Sequence, residues 1–205
     1  MRVSQNHIKR LVPEDIPGKI AYLSAGNAWV MDGNTGNRRL VVSTGKLDGY
    51  VFDLSRDHSW LLYSEKSDLP AAEQINSLFM VNLDESDAQP INLGIHNVVH
   101  FGEWVPGREL TLSYSTVEPR LSAPGWQADN NLVLATFDAQ GSLLEERTLV
   151  EANTGGVYGW WGMDFSWSAD GNHIAFTRPD AVGLVNLEDG SLQVLKEIVP
   201  YQTGS

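Results

Sequence analysis

Phe165-Ser-Trp-Ser-Ala-Asp-Gly-Asn-His-Ile-Ala-Phe-Thr-Arg178 is a hairpin legible in its letters. Phe165 and Trp167 alternate with Ser166 and Ser168, Asp170-Gly171 tolerates the positive φ of a tight turn, and Ile174 and Phe176 resume the alternation. A second hairpin follows at once, 182–187, then Glu188-Asp-Gly190, then 192–195. Two hairpins in under forty residues predict one small antiparallel sheet of four strands.

Working outward from this unit, no window of a dozen residues keeps apolar positions at helical spacing, whereas alternation broken by Gly, Asn and Asp recurs throughout. The fold class is all-β. The aromatic closing the second strand of each unit is Tyr22, Tyr63, Tyr114 and Phe176, at separations of 41, 51 and 62 residues. The drift has a local origin, because the segments 64–74 and 115–129 are inserted between second and third strands. Without them the period is near forty, the spacing of a β-propeller built from four-stranded blades. Third strands fall at 28–31, 77–83, 131–137 and 182–187, fourth strands at 39–42, 90–93, 143–149 and 192–195. First strands fall at 52–54, 102–105 and 165–167, with 8–12 a poor candidate for the opening unit. The predicted organisation is one domain, 1–205, with blades near 7–43, 50–93, 101–150 and 163–197.

Trp167-Ser-Ala-Asp-Gly-Asn-His-Ile-Ala-Phe176, with the later Val-Asn-Leu-Glu-Asp-Gly190, resembles the TolB-like, Trp-Asp-repeat-like propeller unit, an aromatic and Ser-Pro-Asp-Gly before a short apolar strand. Ala169 replaces the usual Pro. Leu54-Ser-Arg-Asp-His58 and Trp104-Val-Pro-Gly-Arg108 keep pieces of the pattern. The resemblance implies a scaffold, a docking surface or an accessory domain of a peptidase, in a periplasmic or secreted setting. It implies a fold and no particular activity. Four units make a small closed ring or part of a larger one. The weak first strand favours the part, whose open faces would meet missing blades or a second copy.

Fourteen Lys and Arg against 26 Asp and Glu give a net charge of −12, which repels nucleic acid and an anionic membrane surface. Cysteine is absent, so disulfides, thiolate catalysis and zinc–thiolate sites are excluded. No apolar run approaches the roughly 20 residues of a membrane span, and the opening Met1 to Lys9 lacks the apolar middle of a signal peptide.

Catalytic signatures are missing too. There is no Gly-Xaa-Ser-Xaa-Gly elbow and no His-Glu-Xaa-Xaa-His helix, and Gly155-Gly-Val-Tyr-Gly-Trp-Trp-Gly162 lacks the Lys of a phosphate loop. Glu145 and Glu146 adjoin in a strand and point to opposite sides. The turn Asp32-Gly-Asn-Thr-Gly36 lacks the spaced carboxylates of a calcium loop, so no metal or cofactor is expected.

In a four-stranded blade, the second-to-third connections and the links to the next blade emerge at one end of the ring. That end therefore carries both insertions together with 94–101 and 151–162. It collects Trp126, Tyr158, Trp160, Trp161, His96, His100, Glu73, Glu118 and Asp129, whereas the opposite end receives only tight turns. Aromatics beside carboxylates suit peptides, glycans or cations, although inter-blade packing is the first account of Trp160 and Trp161. His96 and His100, in extended chain, share one side. The expectation is a non-catalytic module binding protein, peptide or glycan on the insertion end. The alternative is an accessory or gating propeller of a larger hydrolase.

Overall fold

The computed structural model describes residues 18–152, 159–160 and 162–199. These residues form four antiparallel sheets in chain order. The first is three-stranded: β1 (Lys19–Ser24), β2 (Asn27–Asp32) and β3 (Arg38–Val42). The second has four strands, β4 (Leu47–Leu54), β5 (Trp60–Lys66), β6 (Asn76–Asn82) and β7 (Ile91–His96). The third runs β8 (Phe101–Trp104), β9 (Thr111–Ser115), β12 (Leu132–Phe137) and β13 (Leu143–Val150), with a separate hairpin of β10 (Val117–Pro119) and β11 (Trp126–Ala128) inserted after β9. The fourth is β14 (Asp164–Trp167), β15 (Ile174–Arg178), β16 (Ala181–Val185) and β17 (Leu192–Glu197). The chain is all-β and its sheets are the blades of a propeller. The weak first strand expected at 8–12 lies outside the described residues.

Burial follows from the stacking of blades. Middle strands lie between two neighbouring sheets, so both of their faces are covered: Leu61, Leu62 and Tyr63 on β5, and Leu78, Met80 and Val81 on β6, are buried. Outer strands lose this, and β13 is exposed from Leu143 to Thr148. Three apolar clusters join the blades in sequence. Val30 and Val42 meet Leu61 and Tyr63; Leu62 and Met80 meet Leu112 and Tyr114; Leu132 and Leu134 meet Phe165 and Phe176. Among the described residues, no such cluster joins the fourth blade to the first.

Turns close by carboxylate capping. Asp170 accepts from the Asn172 amide at 3.0 Å and from Ser168 Oγ at 2.5 Å, and Asp57 accepts from Ser59 N at 3.1 Å and Ser55 Oγ at 2.6 Å. His58 adopts φ 61° in the second blade, where the fourth has Gly171 at 71°. The turns 55–59, 105–110 and 168–173 thus gather at one end of the propeller, and the two insertions lie at the other.

Candidate ligand groove

A groove of about 790 Å³ lies at the end of the propeller that carries the tight turns. It is larger than the hollow of about 290 Å³ beside the insertion after β5, bounded by Lys46, Glu65, Asp68 and Gln74. Tight turns stand at this end as expected, and those of successive blades surround a shared depression.

The groove is built on first strands. β4 lies beside β8, and the two present Asp53 and Glu103 from the same position of consecutive blades, the residue before Leu54 and before Trp104. Both are half-buried. Asp53 Oδ2 accepts the Trp104 amide N–H at 2.8 Å, which fixes β4 to β8. Burial raises the Asp53 carboxyl above its ordinary value, against the lowering pull of the Trp104 and Leu54 amides. Glu103 is raised by burial first and then by the charge of Asp53. Among the described residues neither makes an ion pair within 4.0 Å.

Indole rings form the walls. Trp60, Trp104 and Trp167 all line the groove. Trp167 of the fourth blade donates its indole N–H to the fully buried Ser113 Oγ at 2.7 Å, and Ser113 pairs across the sheet with Glu103. The Trp104 indole N–H is buried without an acceptor among the described residues. Arg56 bridges the rim, its Nη1 donating to the Ala169 carbonyl at 2.9 Å from blade two to blade four. Arg108 lines the groove from an exposed position.

The residues singled out in the sequence are spread over the insertion end. Trp126 on β11 meets His100 edge-on, with ring centroids 4.5 Å apart. His100 Nε2 is buried without a partner, and burial lowers the imidazole below its usual value against the raising charge of Asp164. His96 is exposed and its Nδ1 meets Ser77 Oγ at 3.0 Å. Asn97, at φ 60°, turns the chain between the two histidines, so the extended path expected to put them on one side is interrupted. Glu118 pairs with Arg120 at 2.6 Å on the exposed hairpin. Asp129 accepts from Thr116 Oγ1 at 2.6 Å, closing the base of that hairpin. Glu73 and Trp160 are exposed, whereas Tyr158 and Trp161 lie outside the described residues. Among the described residues of this set, His100 and Trp126 are brought together. Asp53, Glu103, Trp60 and Trp104 were not singled out, although carboxylates at one position of successive units was a signal available in the sequence.

No family model matches the chain, and no curated protein matches it in sequence. Solved structures do match. With a TM-score of 0.59 and 15% identity, 88% of this chain is similar to 50% of an oligogalacturonate lyase in complex with manganese. With a TM-score of 0.52 and 10% identity, 85% of it is similar to 49% of the propeller domain of Swd1 from Myceliophteria thermophila. The propeller domain of the Trilobed protease from Pyrococcus furiosus matches 84% of the chain over 49% of its own length, at a TM-score of 0.51 and 13% identity. The chain spans between 29% and 62% of the length of the structures it matches first. At these identities the likeness shows the fold, a β-propeller.

Proposed function

We propose that this chain is a non-catalytic recognition module, and that the groove receives a cationic group carried by a peptide or protein, a lysine or arginine side chain or a terminal amine. The observation that carries the reading is the placement of Asp53 and Glu103: two half-buried carboxylates on adjacent strands, without an ion-pair partner among the described residues, under a wall of three indoles. Burying like charges together costs free energy that an entering cation offsets. The indole faces add cation–π attraction worth roughly 0.5–2 kcal/mol each. Titrating short Lys- and Arg-containing peptides against the protein, with their acetylated and citrulline forms as controls, tests it. Saturable binding that falls at least tenfold in Glu103→Gln supports the reading. Absence of binding across the set, or equal binding to charged and neutral forms, overturns it.

A second reading places the ligand on the insertion end, favoured by the His100–Trp126 contact and the exposed Trp160. Trp126→Ala separates the two, since it leaves the groove untouched. If the chain serves as the propeller of a larger hydrolase, the groove would select substrates by the same charge.

A further inference from the structure

The junctions between blades are directional, and their parts repeat. At each one, the turn between third and fourth strands of the following blade rests on the fourth strand of the blade before it. Arg39 on β3 donates to the Leu83 carbonyl at 2.6 Å and to that of Glu85 at 3.0 Å, gripping the turn after β6. Gly141, in the turn after β12, lies so close to β7 that a Cβ there would stand 2.2 Å from the Ile91 side chain. Arg147 on β13 donates to the Glu188 carbonyl in the turn after β16, and a Cβ on Gly190 in the same turn would stand 1.5 Å from the Leu149 carbonyl oxygen.

The two end blades carry the unmatched halves of this junction. On the first blade, Tyr22 and Trp29 are register partners with rings 6.5 Å apart and 12° from parallel. Tyr63 and Phe79 hold the same register positions in the second blade, 5.7 Å apart at 17°, and there they pack into the cluster shared with the blade before. Tyr22 and Trp29 thus stand on the face that would meet a preceding blade, with Leu40 beside Trp29 at 43% exposure. On the fourth blade, Thr177 pairs with Val182 and Ala175 with Leu184. The third blade uses the same arrangement, a small residue paired with an aliphatic one, to receive the fourth: Ser113 pairs with Leu134, Leu132 and Leu134 lie in the shared cluster, and Ser113 takes the Trp167 indole. Ala175 and Thr177 are exposed.

We propose that the face of the first blade left open among the described residues docks on the face of the fourth blade likewise left open, on a second copy of this chain, and the reverse, so that two copies close one ring of eight blades. Both halves of the junction are present on a single chain, and a head-to-tail contact that closes at two gives a symmetric ring within the blade numbers propellers adopt. The inference goes beyond the groove and does not depend on it.

Solution mass from about micromolar to 100 micromolar, by sedimentation equilibrium on the full chain, tests it. The expected result is a dimer that Leu184→Glu and Trp29→Glu each weaken at least tenfold, with far-UV circular dichroism unchanged. Leu40→Glu, at an exposed position of the same face, replaces Trp29→Glu should that variant fail to fold. Mixing the Leu184→Glu and Trp29→Glu proteins restores association, because one junction of the mixed pair is then intact. A monomer throughout, a mass that grows without limit, or a dimer indifferent to Leu184→Glu overturns the proposal, the last by showing that first blade meets first blade.

Discussion

Gly171→Ala tests how the fourth blade is seated. Gly171 is buried at φ 71°, and a Cβ there would come 2.1 Å from the Pro106 carbonyl oxygen, a main-chain atom with no rotamer through which to withdraw. Two costs follow. Placing a Cβ in the left-handed region costs about 1–2 kcal/mol, and the overlap, which needs a shift of roughly 1 Å between two turns, costs about 1–3 kcal/mol more as overpacking. Gly107, in the neighbouring turn of the third blade, has nearly the same φ, 77°, and nothing within 4 Å of its Cβ position. Gly107→Ala therefore bears the conformational cost alone, and the difference between the variants isolates the contact. That difference, about 1–3 kcal/mol, corresponds to roughly 2–12 °C in Tm for a chain of this size. Thermal unfolding followed by circular dichroism reads it directly, and hydrogen exchange should show β14 and β15 losing protection in Gly171→Ala before β1 to β3 do. Equal falls in Tm for the two variants would refute the reasoning, because the turn would then not be wedged against Pro106.

Three further outcomes are expected. Glu103→Gln raises Tm at pH 7, because the folded protein holds that carboxylate at a cost set by burial and by Asp53. With its folded pKa above the unfolded one, Glu103 adds stability as pH falls, so the advantage of Glu103→Gln shrinks as the wild type takes up the proton. A Tm–pH series in which the two curves stay parallel contradicts this. Trp167→Phe leaves the buried Ser113 hydroxyl without its indole donor and costs about 1–3 kcal/mol; Ser113→Ala in that background should recover part of the loss, which a double-mutant cycle measures. Asp170, held down to about 2 by the Ser168 hydroxyl first and then by Asn172, should stay ionised to that pH in a carboxyl NMR titration. Titration near 3.8 would show the turn open.

The strands were legible because Gly, Asn and Asp stand wherever the backbone reverses, and because aromatics such as Tyr63 and Phe176 recur at one place in each unit. Blade-to-blade burial was less so. Leu61-Leu62-Tyr63 reads as a plain apolar run, since a strand covered on both faces loses its alternation. The hairpin of β10 and β11 was hidden inside an insertion read only as a connection, its turn built on Ser122 to Gly125. The groove was legible only as carboxylates at one position of successive units, with no sign in the letters that they meet. Asp53 and Glu103 are fifty residues apart, each unremarkable in its own strand, and only the stacking of β4 on β8 turns them into a pair that share a field. The histidines show the converse: four apart in sequence, they are separated by the single positive φ of Asn97.

The grip of each turn on the blade before it also sets an order of assembly. A ribosome releases roughly 5–20 residues each second, so a unit of about forty emerges over seconds, whereas a hairpin forms in about 1–10 microseconds. Every blade therefore meets a finished predecessor whose fourth strand is waiting, and nothing downstream is needed to complete that junction. Vectorial synthesis suits this polarity, because a chain appearing from its N-terminus always exposes the accepting edge next. The hydrogen bond from Arg56 to Ala169 stands apart from this local sequence of events. It spans 113 residues, so it can form only once the first turn of the fourth blade has been made.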